Sequence, residues 1–318
     1  MRRTVVFLLF AIVAATASAH DVATFSIVAR DPNTHELGVA VASRFFSVGS
    51  VVPYASANAG AVATQANANV AWGPRGLELM QRSATAEETM KILIREDSDP
   101  SARQIGLVAR DGSSATYSGP KCNAWAGGRS GPNYAVQGNI LTGEAVVAAM
   151  EKTFLETKGT LARRIYAALS AGDAAGGDSR GRQSAVLIVV KDAAGYNGNS
   201  DRAIDIRVDD HTDPFRELGR LLDMAEMNYA WNEGWTAFTH KRFDEALAAQ
   251  ERAALLAPEN PELIYDLAVI RLAAGKKAEA LDALAKALRL NPKLKKQASA
   301  DADLEAVRNE PAFKKAIE

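Results

Sequence analysis

The residues able to do chemistry sit in glycine-rich turns and at the ends of apolar runs. Ala175-Gly176-Gly177-Asp178 with Arg180-Gly181 puts an acid two residues from a guanidinium just before an apolar stretch. Backbone N–H groups in such a turn can line an oxyanion hole, and Arg180 can hold a carboxylate through two parallel bonds. The same pair serves equally to fix the loop by side-chain to backbone bonds. Asn67 and Asn69 follow an apolar run, and Asn139 follows Gly138, so amides are available beside a cleft. Asp209-Asp210-His211 with Asp213 offers carboxylate and imidazole, the ligand types of a metal site. With four histidines in the chain and no second His at helical spacing, the simpler account is a strand end, Asp213 as N-cap and a helix from Pro214. His20 would bring an amine and an imidazole together if it were the mature N-terminus, but no partner histidine is identifiable. The sequence thus implies no metal and no cofactor.

Elements that would position these groups alternate between strand and helix up to about Leu222. Phe25–Ala29 and Leu37–Ala42 flank Asp31-Pro32-Asn33-Thr34, a turn signature, and read as a hairpin. Arg103–Tyr117 repeats the pattern around Asp111-Gly112. Gln183–Val190 reads as a buried strand, and Ile204, Ile206 and Val208 alternate with charged residues, as in a strand with one wet face. Thr85 with Glu88 forms a capping box, opening a helix that carries Met90, Leu93 and Ile94. Further helices are expected over 144–154 and 161–171, the latter ending on Gly172. Hairpin connections instead of crossovers predict an α+β fold with antiparallel sheet, not a doubly wound nucleotide fold.

With 318 residues, 47% of them hydrophobic, the chain has room for two domains. The balance of 37 basic and 38 acidic residues argues against nucleic acid as a partner. Arg2 and Arg3, an apolar run from Val5 to Ala15 and the small residues Ala17-Ser18-Ala19 read as a cleaved signal peptide, residues 1–19, and hence a secreted or periplasmic protein with no membrane span after cleavage. The single Cys122 cannot close an internal disulfide, so packing must hold the fold.

After Asp223 the composition turns to Ala, Leu, Glu and Lys. Gly234, Ala246, Ala253 and Pro258 recur 34 residues later as Ala268, Ala280, Ala287 and Pro292, the period of the tetratricopeptide repeat. Residues 223–318 therefore read as two such repeats, with a capping pair that carries Leu304, Val307, Phe313 and Ile317. A protein partner at the repeats is one expectation; packing against the first domain, or pairing of two copies, is the other.

Several blocks in order carry a family resemblance: Thr24-Phe25-Ser26-Ile27-Val28-Ala29-Arg30-Asp31, Gly38-Val39-Ala40-Val41-Ala42-Ser43, Gly60-Ala61-Val62-Ala63-Thr64-Gln65-Ala66, Gly73-Pro74-Arg75-Gly76, Gln137-Gly138-Asn139, the glycine turn with Asp178, Gln183-Ser184-Ala185 and Arg207-Val208-Asp209-Asp210-His211. Together they resemble the domain of unknown function 1028 family across most of residues 24–222. That resemblance implies the N-terminal nucleophile (Ntn) hydrolase fold, a four-layer αββα sandwich, for residues 20–222. It also implies a mechanism in which Thr24, freed as the first residue, attacks an amide of a small-molecule or peptide substrate while its own α-amine takes the proton. Ser26, Ser43, Asn67 and Asn139 would assist, and Arg44, Asp178 and Arg180 would bind substrate. The chain departs from proteasome-like proteins in having Ala42 before Ser43-Arg44 and no lysine between Ser43 and Lys91. Predicted cleavage after Ala19 leaves His20–Ala23 ahead of Thr24, so the mechanism needs a second trimming step. The rival expectation is a non-catalytic envelope protein that binds a ligand and recruits a partner through its repeats.

Overall fold

The computed structural model describes residues 24–318; the expected signal peptide and His20 lie outside the described residues. Among the described residues ten strands form two antiparallel sheets. The larger, six-stranded sheet runs β10-β9-β2-β1-β8-β7, from β1 (Thr24–Arg30), β2 (Leu37–Ser43), β7 (Gly127–Gly131), β8 (Tyr134–Asn139), β9 (Ser184–Val190) and β10 (Arg202–Val208). The four-stranded sheet runs β3-β4-β5-β6, from β3 (Pro53–Ser56), β4 (Gly60–Ala66), β5 (Arg103–Ala109) and β6 (Ser114–Ser118). Both expected hairpins are present, β1–β2 and β5–β6, and β9 pairs with β10. At the β1–β2 turn the Asp31 carboxylate accepts the backbone N–H groups of Asn33 and Thr34.

Three apolar cores stack through this part of the molecule. Val28, Val39, Val41, Val186 and Ile188 of the large sheet meet Ala61, Ala63 and Val108 of the small one. The opposite face of the large sheet, with Phe25, Ile27 and Leu187, is covered by α3 (Glu144–Glu156), α4 (Leu161–Ala174) and the start of α5 (Pro214–Thr239). The outer face of the small sheet is covered by α1 (Trp72–Gln81) and α2 (Ala86–Glu96). Since the central strands are buried on both faces, β2 and β9 read as unbroken apolar runs despite antiparallel pairing. Helix α2 opens with the expected capping box, Thr85 and Glu88 bonding each other's backbone N–H. Helix α4 does not stop before Gly172 but continues to Ala174. Gly172 is there for closeness: a Cβ on it would come within 2.7 Å of Met150 Cγ on α3.

From Pro214 to the C-terminus the described chain is helical. The C-terminal half of α5 pairs with α6 (Phe243–Leu256), and α7 (Pro261–Ala273) pairs with α8 (Lys277–Leu290); α9 (Leu294–Ala300) and α10 (Pro311–Ile317) follow. The repeated small residues lie where helices cross: Ala246, Ala253, Ala268, Ala280 and Ala287 are all buried, and a Cβ on Gly234 would press on Gln250. Leu304, Val307 and Phe313 close the end of this core. The expected boundary after Leu222 falls inside α5, a continuous helix of 26 residues. Its first half gives Phe215, Leu218 and Leu222 to the large sheet's core, and its second gives Ala230, Trp231 and Trp235 to the repeats. Asp213 accepts from the Arg216 backbone N–H at its start, as expected of an N-cap.

Candidate functional site

Strand alternation decides where the polar residues go. Side chains two apart share a face, so the phase that sends Val28, Val41 and Val186 between the sheets sends Ser26, Thr24, Ser43 and Ser184 there as well. Register aligns them across four strands: Ser184 opposite Ser43, Ser43 opposite Thr24, and Thr24 opposite Asn139. One end of the interface between sheets is thus aliphatic and the other is a row of hydroxyls and amides. The small sheet answers in kind, with Gln65 and Gln104 opposite each other on β4 and β5.

These groups form one buried network. Thr24 Oγ1 lies 3.2 Å from Ser43 Oγ. The Ser26 hydroxyl donates to Gln65 Oε1 at 2.6 Å and accepts from Gln137 Nε2 at 2.6 Å. Gln65 Nε2 donates to the Thr24 carbonyl and to Gln104 Oε1, which also accepts from Asn139 Nδ2 at 3.0 Å. Gln104 Nε2 in turn reaches Ser118 Oγ and the carbonyls of Gly127 and Gly138. Gln137, on the large sheet, fits against β5 of the small one because position 106 is glycine; a Cβ there would fall 2.0 Å from Gln137 Oε1. Two acceptors, Gln137 Oε1 and Asn139 Oδ1, are buried without a hydrogen-bond partner. A buried, unmet acceptor costs free energy and marks a place where a donor would be welcome.

The glycine-rich loop is stitched across this end of the sheet. Asp178 accepts the Arg44 backbone N–H at 2.8 Å, just beyond Ser43, and pairs in a β-bridge with Leu141, just beyond Asn139. Its carboxylate also takes the backbone N–H and guanidinium of Arg180, while Arg44 Nη1 donates to the Arg180 carbonyl at 2.6 Å. β1 lies between β2 and β8, so the loop spans the sheet end at which Thr24 begins. Asp178 is thereby committed to holding Arg44 and Arg180.

The model of a family of unknown function, DUF1028, matches residues 24–218. The chain belongs to this family. The crystal structure of a DUF1028 protein from Silicibacter pomeroyi aligns with a TM-score of 0.59 at 28% identity, covering 64% of this chain and 89% of that one. A tetratricopeptide repeat model matches residues 236–310. No curated protein matches the chain.

Within the DUF1028 domain, Thr24, Ser26, Ser43 and Asn139 converge, with Arg44, Asp178 and Arg180 in the adjoining loop. Asn67 stands apart: it is exposed past the end of β4, its carbonyl held by Arg103 at 2.6 Å. The glutamines were missed as site residues, although Gln65 and Gln104 are each the one amide of a mostly apolar strand and Gln137 shares β8 with Asn139, all on the phase facing the other sheet. Asp209 accepts from the Ser47 hydroxyl, and His211 Nδ1 accepts the Asp213 backbone N–H, so these residues secure the turn from β10 into α5. Among the described residues no group of three His, Cys, Asp or Glu side chains is placed to hold a metal, and no helix is long and apolar enough to cross a membrane.

Proposed function

We propose that this protein is an exported amide hydrolase of the N-terminal nucleophile type, its two sheets and flanking helix layers forming the αββα sandwich of that class. The observation that carries the reading is the position of Thr24: first residue of a central strand, its hydroxyl beside Ser43, at the polar end of the interface between sheets. The buried groups bonded around that position, Ser26, Gln65, Gln104, Gln137 and Asn139, are hydroxyls and amides, none of them a base at neutral pH. In this reading the base for the Thr24 hydroxyl is the α-amine released by cleavage after Ala23. Oγ1 would attack the amide carbonyl carbon as its proton passes to that amine; the tetrahedral adduct expels the protonated leaving amine and leaves an ester on Thr24. Water, deprotonated by the same amine, then releases the acid. Asn139, opposite Thr24 in register and carrying an unmet acceptor, is suited to hold the new ammonium, and Asp178 positions Arg44 and Arg180 around the substrate.

Mass measurement of the exported protein tests this directly. A mature chain starting at Thr24, labelled by a threonine-reactive electrophile and not labelled in Thr24→Ala, is the expected result. A mature chain that keeps His20 or any residue ahead of Thr24 overturns it. One observation favours the non-catalytic reading, a ligand-holding domain with a recruiting tail: the Thr24 side chain is wholly enclosed. Under that reading, Thr24→Ala leaves the protein's biological role intact.

A further inference from the structure

Where the sheet domain meets the repeats there is a cleft at the opposite end of β1 from Thr24. It has a volume of about 560 Å³ and opens between the β1–β2 turn, the start of α4, the ends of β9 and β10, and helices α5 and α6. That volume suits a small organic molecule, and the junction of two units is where such clefts concentrate. Leu161, Val189, Ile204 and Ala230 form its apolar wall, and Leu255 and Leu256 stand at it unusually exposed, at 82% and 48%.

The charges around the cleft are mostly spent. Asp31 is paired with Arg164, Glu226 with Arg163, and Glu233 with Arg252. Glu36 and Lys191 stand outside these pairs, and Glu36 is the buried one of the two. It is 8% exposed, and its carboxylate receives only neutral donors, Thr34 Oγ1 at 3.1 Å and Tyr229 Oη at 3.4 Å. Lys191 attracts it from beyond ion-pair distance, while burial pushes its carboxyl above the usual range. A buried carboxylate without a contacting cation is costly, and a cation delivered by a ligand relieves that cost.

We propose that this cleft binds a small organic amine with an apolar body, its ammonium bonded to Glu36 and its hydrocarbon part lying against Leu161, Ile204, Leu255 and Leu256. The site is independent of the hydrolase reading, because it shares no residue with the Thr24 network. Calorimetric titration of the full chain with hexylamine, hexanol and hexanoate tests it. The amine binds saturably and about tenfold or more tighter than the alcohol, the margin of a charge-assisted hydrogen bond. Glu36→Gln brings the amine down to the alcohol's affinity, and Leu256→Ala, a surface change that leaves folding untouched, weakens the amine and the alcohol alike. Equal affinities for amine and alcohol in the wild type, tighter binding of hexanoate, an amine preference that survives Glu36→Gln, or no saturable binding overturns the proposal.

Discussion

Gln104 shows how much one side chain can organise. It accepts from Gln65 and Asn139 and donates to Ser118 and two strand carbonyls, with no exposure to solvent. Gln104→Leu would leave those partners buried and unmet; we expect a loss of about 3 kcal/mol or more, since each orphaned buried group costs about 1–3 kcal/mol. Urea unfolding measures it, and a loss below about 1 kcal/mol would mean the network relaxes easily. Gly106→Ala probes the approach of Gln137 to the same strand, β5. Its new methyl would overlap the Gln137 amide, and such overpacking costs about 1–3 kcal/mol. Amides such as Gln65, Gln104 and Gln137 are visible in the sequence as polar residues inside largely apolar strands. Their meeting is not, because it depends on which face of each strand turns toward the other sheet.

At the scale of elements, local chemistry was the most legible. Thr85 and Glu88 announce the start of α2, and Thr85→Ala should cost about 1 kcal/mol, read from the unfolding midpoint at constant slope. Gly172 misled for a physical reason: glycine is both a common helix stop and the residue that lets two helices or a strand come close, and here contact with Met150 and Phe25 wins. Inside the repeats, Asp266 on α7 accepts from the indole N–H groups of Trp231 and Trp235, both at 2.7 Å. Burial is the largest influence on this carboxyl and raises its pKa. A raised folded value means the folded state holds the proton more tightly. The resulting stability is complete below the usual carboxylate range and is lost as pH rises through the folded value. Asp266→Asn keeps an acceptor without the charge, so it should flatten the fall in stability between acidic and neutral pH; an unchanged slope in melting temperature against pH would contradict this.

For the whole molecule, α5 matters most because it belongs to two cores. Residues past Leu222 still serve the sheet domain: Ala225 and Tyr229 pack on its core, and Glu226 accepts from Arg163 and Thr160. A chain ending at Leu222 should therefore melt below one ending at Thr239. Equal melting temperatures would show that the second half of α5 contributes nothing to the first domain. The composition change near Asp223 marks where repeat-type sequence begins, whereas the helix that carries it is laid down earlier, at Asp213.

The chain's own text determined the β1–β2 and β5–β6 hairpins, the strands β9 and β10, the caps at Thr85 and Asp213 and the repeat period, because these rest on neighbours a few residues apart or on alternation along a strand, whereas β3, β7 and β8 carry too weak an alternation to be read that way. Tertiary structure alone decided that Thr24, Ser43, Asn139 and Gln104 meet, that Asp178 reaches back to Arg44, and that Glu36 lies buried beside the repeats. Those contacts join residues far apart in sequence, and they form only because burying both faces of two sheets, and both halves of one helix, brings their surfaces together.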